Sequence, residues 1–149
     1  MNRIKIYAAA LIAAGIFSGL LFAGPETGEK NMETRIRLTL QNGDAIIFGL
    51  DDNATSRKFL SLLPTTLSFE DYNRTEKVSS LATKLPTDGA PAGYKPETGD
   101  FCLYAPWGNL CIFYKGFPYS GGLVKLGHVI EGKDRLRDIE GRVIVEIIQ

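Results

Sequence analysis

The stretch GDFCLYAPWGNLCIFYKGFPYSGGLVKLG, residues 99–127, constrains this chain more than any other, because it gathers the single tryptophan, both cysteines and a concentration of Phe and Tyr. Residues 101–105 are apolar and aromatic, Pro106-Trp107-Gly108-Asn109 is turn chemistry, and residues 110–114 are apolar and aromatic again. That pattern predicts a β-hairpin. Both arms are continuously apolar rather than alternating, as expected of strands covered on both faces at the centre of a barrel or sandwich.

The flanking sequence supplies the rest of such a sheet. Residues 34–40 (TRIRLTL) alternate, placing Ile36, Leu38 and Leu40 on one face of a strand. Asn42-Gly43 predicts a tight turn with positive φ at both central residues, returning the chain into a second strand over 45–50. Asp51, Asp52 and Asn53 offer N-caps for a short helix over 55–63 that Pro64 stops. Leu67 and Phe69 alternate in a third strand that ends at Glu70-Asp71-Tyr72-Asn73. Residues 84–99, punctuated by Pro86, Gly89, Pro91, Gly93, Pro96 and Gly99, read as a long ordered loop, a feature that is often functional. A strand over 123–130, a short helix over 132–139 and a last strand over 142–148 complete the count. About seven strands and two short helices, with regular turn signals, predict a mostly-β barrel or sandwich.

A chain of 149 residues holds one such domain, here residues 34–149. Residues 1–24 stand apart: Arg3 and Lys5 precede an uncharged run over 8–22, the pattern of a signal peptide or an N-terminal membrane anchor. The run is shorter than the ~20 residues of a comfortable span, which favours a signal peptide. Against it, cleavage after Ala23 puts bulky Leu21 where a small residue is wanted. Either reading predicts an exported domain, periplasmic or otherwise extracytoplasmic, touching membrane only through that segment, with 25–33 as a polar linker. Without the leader's two cations the net charge of zero becomes −2, and no basic stripe exists, so nucleic acid is excluded as a partner.

The chemistry-bearing residues are few. Trp107 is either a hydrophobic plug under its turn or the aromatic wall of a pocket. Asn109 reads as a turn former whose amide is also able to address a ligand. Tyr72 and Asn73 offer polar groups at a barrel rim, or simply a capped turn. Tyr119 and Ser120, with Gly121-Gly122, form a loop whose amides and hydroxyls would suit an anion, although an ordinary loop has the same sequence. Phe113 completes a candidate apolar lining. Glu70 and Asp71 are adjacent, so on a strand they face opposite sides and make no general acid/base pair. His128 has no second histidine or cysteine near it in sequence, so neither a metal site nor a His-activated nucleophile is expected, and no cofactor. Cys102 and Cys111 are a possible disulfide. They are directly opposed if Pro106-Trp107 are the central turn residues, and diagonal, too far to bridge, if Trp107-Gly108 are.

Residues 126–139, LGHVIEGKDRLRDI, resemble the cyclophilin ending F-G-x-V-x-E-G-x-D-x-(V/L)-x-x-I. With SLLPTTLSFEDYN (61–73), the Ala90-Pro91-Ala92-Gly93 loop and APWGNLCIFY (105–114), the span 34–149 is similar to the bacterial cyclophilin-like family of small proteins. The resemblance implies a closed cyclophilin-like β-barrel of about eight strands with two short capping helices. It does not carry the activity. True cyclophilins isomerise prolyl bonds with an arginine in a His-Arg context, a Phe-x-x-Gln-Gly-Gly-Asp stretch and a later histidine. Here the first two are missing, Leu123 stands at the position of the third, and His128 falls on the x of F-G-x-V. Arg57 and Arg74 are the arginines able to substitute from elsewhere. The expectation is therefore a binding domain for a small molecule or an extended peptide. A periplasmic peptidyl-prolyl isomerase and a membrane-tethered interaction module are the alternatives.

Overall fold

A computed structural model describes residues 33–149; the expected signal or anchor over 1–24, and all of the linker but Glu33, lie outside the described residues. Ten strands, one α-helix and one 3-10 helix follow in chain order. They are β1 Thr34–Thr39, β2 Ala45–Leu50, α1 Ala54–Leu60, β3 Thr65–Tyr72, β4 Glu76–Ser80, β5 Gly93–Tyr94, β6 Asp100–Tyr104, β7 Asn109–Phe113, β8 Ser120–Gly121, β9 Leu123–Glu131, the 3-10 helix Lys133–Asp138, and β10 Gly141–Ile148. Eight of the strands close an antiparallel barrel in the order β1-β10-β3-β4-β7-β6-β9-β2, while β5 and β8 pair with each other outside it. Closure leaves the barrel no free edge.

Inward-facing side chains fill the barrel. Ile36 and Leu38 from β1, Phe48 from β2, Phe101 and Leu103 from β6, Leu110 and Ile112 from β7 and Val143 and Val145 from β10 are all buried. Phe101 is the centre of an aromatic cluster, its ring 5.6 Å from Phe48 and 5.4 Å from Phe59 of α1. That edge-on packing ties the helix to the barrel. Asn53 caps α1 by accepting from the Ser56 amide at 2.8 Å, and its own amide donates to the Lys125 carbonyl of β9 at 3.0 Å. Ser56 Oγ donates to the Leu126 carbonyl, so the start of the helix is pinned to β9 from two side chains. The 3-10 helix, entered through Gly132 at φ +80°, buries Leu136, and Ile139 is buried just past its end.

Three local expectations are corrected. The Asn42-Gly43 turn has positive φ at Gly43 only, because a Gly43 amide bond to the Leu40 carbonyl and an Asp44 amide bond to Asn42 Oδ1 build it from one left-handed residue. The long loop 84–99 is interrupted by β5, which pairs with the loop residues Ser120–Gly121. An eighth barrel strand, β4, occupies 76–80, where no strand is legible by alternation. Its pattern is inverted: Lys77 and Ser79 are buried toward the barrel interior, while Val78 faces out. Lys77 is accommodated by Asp71 across the β3–β4 pair, Nζ to Oδ2 at 3.3 Å.

Candidate functional site

The outward faces of β3, β4, β7 and β6 form the floor and walls of a cavity of about 720 Å³. Register explains its composition. Side chains alternate, so the strands that send Phe101, Leu103, Leu110 and Ile112 inward send Cys102, Tyr104, Asn109, Cys111 and Phe113 outward. Across the β4–β7 pair Val78 lies opposite Cys111, Glu76 opposite Phe113 and Ser80 opposite Asn109. Cys102, Cys111, Phe113 and Leu123 thus form a second, outer apolar cluster, joined by Val78, Tyr94 and Tyr104.

Trp107 is 67 % exposed, which settles its role against a plug under the turn. It folds over the outer face, edge to face with Tyr104 at 5.4 Å and with Tyr72 at 6.1 Å, so rings from the β6–β7 turn, β6 and β3 make one aromatic wall. A chain of polar contacts runs along the floor. The Asn109 side-chain amide donates to Cys111 Sγ at 3.4 Å, and Glu76 stands diagonal to Cys111 across the β4–β7 pair. Burial pushes the Glu76 carboxyl above the ordinary carboxylate value, and the neighbouring Cys111 thiol offsets that in part. Glu76 Oε2 and Asn109 Oδ1 are buried with no protein partner.

Of the residues singled out from sequence, the cavity brings together Tyr72, Trp107, Asn109, Phe113 and Ser120. Two do not join it. Asn73 occupies the β3–β4 turn at φ +52°, beside Arg74 at +53°, where its backbone rather than its amide is used. Tyr119 is 62 % exposed on the neighbouring loop, lining a shallow depression with Pro96 and Pro118. Ser120 and Gly121 form β8 instead of an anion cradle, their backbone paired with β5. The cavity adds residues that sequence reasoning missed, above all Glu76, Val78, Tyr104 and Phe117. Glu76 and Val78 were hidden with their strand; Tyr104 was visible as the last aromatic of the first hairpin arm.

Glu70 and Asp71 face opposite sides, as their adjacency requires. Glu70 lines the cavity, while Asp71 pairs with Lys77 on the other face and accepts from the Tyr114 hydroxyl at 2.7 Å. The Tyr114 bond is the main reason the Asp71 carboxyl is held below the usual range, and burial pushes Tyr114 up to about 12. Cys102 and Cys111 are directly opposite across β6–β7 and both are buried free thiols. Arg57 pairs with Asp52 beside α1 and Arg74 lies in its turn; neither lines the cavity, and no arginine does among the described residues. The loop over 84–99 lines a separate, smaller cavity of about 290 Å³ rather than covering this one. Buried Asp100 fastens β5 to the barrel, accepting from the Tyr94 hydroxyl at 2.9 Å and pairing with Lys125 at 3.3 Å. His128, exposed on β9, approaches Glu33 and Asp51, one ligand atom of each within 4.8 Å of the others, and all three side chains are exposed. No described helix is long and apolar enough to cross a membrane.

The comparisons with known proteins agree with this architecture. A hypothetical protein from Archaeoglobus fulgidus, known from a solution structure, superposes with a TM-score of 0.59 at 17 % identity, over 80 % of this chain and 98 % of that one. At that identity the likeness speaks for the fold alone. No curated protein sequence matches the chain. The model of the Cyclophilin-like family matches residues 39–148, from the end of β1 to the end of β10, and with that match over a closed eight-stranded barrel the chain belongs to the cyclophilin-like family.

Proposed function

We propose that this domain is a binding module whose outer-face cavity takes a small molecule or the side chains of an extended peptide, and that its leader places it outside the cytoplasm. The observation that carries the reading is the cavity itself. Its volume of about 720 Å³ lies within the ~300–1,000 Å³ typical of ligand sites, and its lining sets aromatic rings, Val78 and Leu123 against four serines, two glutamates and Asn109. Apolar burial against Trp107, Phe113 and Leu123 supplies affinity; Glu76, Asn109 and Ser120 orient the occupant.

The isomerase alternative needs an arginine to polarise a prolyl amide, and the cavity lacks one among the described residues. A proline-isomerisation assay on residues 25–149, with a true cyclophilin as the control, is expected to give no rate above background. Catalysis abolished by Arg57→Ala or Arg74→Ala would replace the binding reading with an enzyme. The binding reading is tested by amide-shift mapping against a fragment and peptide panel. Shifts are expected to cluster on β3, β4, β7 and the 105–108 turn; shifts spread over the barrel, or none with any member of the panel, would refute it.

A further inference from the structure

Resting on that binding reading, we propose that the cavity is selective for organic cations: its occupant carries an ammonium group seated at Glu76 Oε2, with its hydrocarbon part against Trp107, Phe113 and Leu123.

Charge comes first. Glu70 and Glu76 line the cavity and no Lys, Arg or His does among the described residues. The cations of the neighbouring strands are engaged elsewhere, Lys77 with Asp71 on the opposite face of the sheet and Lys125 with Asp100. Nothing in the lining would neutralise an anion, and two carboxylates would repel it.

Hydrogen-bonding capacity comes second. Asn109 has committed an amide donor to Cys111. Three side-chain atoms remain buried and unpartnered, Glu76 Oε2, Asn109 Oδ1 and the Ser79 hydroxyl; the first two, on outward-facing residues, are acceptors only. A buried acceptor without a donor is an unfavourable arrangement that a ligand donor relieves. An ammonium group brings up to three donors and a charge opposite to the carboxylate. Such a cation would also reverse the effect of burial on Glu76, holding it ionised.

The wall is the third element. Tyr72, Trp107 and Tyr104 form a continuous aromatic surface, and aromatic rings attract cations through their quadrupoles, tryptophan most strongly. A neutral alcohol of the same shape would gain the apolar contact and a single hydrogen bond without the charge, and an anion would gain the apolar contact alone.

Three probes of matched length separate the possibilities: 3-phenylpropylamine, 3-phenylpropanol and 3-phenylpropionate, titrated into the full chain. Trp107 is the single tryptophan, so its fluorescence reports occupancy of the wall directly. The amine is expected to bind at least about tenfold more tightly than the alcohol, and the carboxylate most weakly. Glu76→Gln should bring the amine to the alcohol's affinity, and Glu76→Asp, which keeps the charge on a shorter arm, should retain part of the preference. Carboxylate or alcohol binding as tightly as the amine would overturn the proposal, as would an amine preference unchanged in Glu76→Gln. Silence from all three probes while a neutral proline-containing peptide shifts the fluorescence overturns the cation selectivity and leaves the binding reading standing. Silence from every probe and peptide removes both.

Discussion

The two faces of the β6–β7 hairpin are made by the same ten residues and do different work. Inward, Phe101, Leu103, Leu110 and Ile112 are at most 2 % exposed, wholly apolar and locked between β2, α1 and β9. Outward, Cys102, Cys111 and Phe113 are as well buried, but they sit among Glu76, Asn109, Tyr104 and an exposed tryptophan, beside open volume and unpartnered acceptors. The inner face of the hairpin is part of a buried apolar core. The outer face has apolar area and polar capacity left over, and left-over capacity at the mouth of a cavity is what a binding site requires.

The largest expected effect breaks the inner face. Phe101→Ala removes the ring that joins Phe48 to Phe59, and is expected to cost about 3–5 kcal/mol in urea denaturation, with α1 loosened first in hydrogen exchange. A loss under about 1 kcal/mol would mean that the barrel collapses onto the space and that the packing contrast is weaker than drawn.

The next effect sits where polar groups enter the interior. Asp71→Asn leaves the buried Lys77 ammonium without its counter-charge, for an expected cost of about 1–3 kcal/mol at neutral pH. The folded Asp71 pKa is lowered, so its contribution is present above the unfolded value and fades as pH falls through the folded one. The difference between wild type and Asp71→Asn should therefore shrink in melts taken below about pH 4. A difference independent of pH would assign the loss to packing alone.

Glu76→Gln is expected to do the opposite on the outer face. A carboxyl whose folded pKa is raised costs stability above that folded value, and the cost disappears as pH falls to the unfolded value of 4.5. The variant should melt slightly higher than wild type at pH 7 and match it at pH 4. Destabilisation at both pH values would show that the carboxylate has a partner in solution and is not held in reserve.

The cysteine pair sharpens the comparison without changing stability. Both thiols are pushed far up by burial, so a maleimide dye should leave the native protein unlabelled at neutral pH and label both sites once it is unfolded without reductant. Unfolded protein that takes no dye until reduced would carry the Cys102–Cys111 bond that their opposed register permits.

Much of the barrel was legible because its inner face is periodic. The alternation of Thr34–Thr39, the continuous apolarity of both hairpin arms and the Leu126–Ile139 ending each report burial against the same core, and burial is what sequence patterns encode. Glu76–Ser80 was not legible for the same reason. Its inward residues are Lys77 and Ser79, acceptable there because Asp71 lies opposite Lys77, and no pattern of hydrophobicity announces a strand whose interior side is polar. The site inherits that blind spot. Trp107, Asn109 and Phe113 stood out as aromatic and turn chemistry, whereas Glu76 entered only once β4 was paired to β7 in register. Asn73 and Tyr119 were misplaced because turn and loop residues carry polar groups whether or not they face a cavity.

The contrast between the two faces is tested most directly at Trp107, by measuring the urea-denaturation free energy and the amide-shift binding of Trp107→Ala on the same samples. An exposed wall residue is expected to leave stability within about 0.5 kcal/mol of wild type while binding at the outer face is lost. A loss of stability of roughly 2 kcal/mol or more, with binding retained, would make the ring a structural plug and contradict the account.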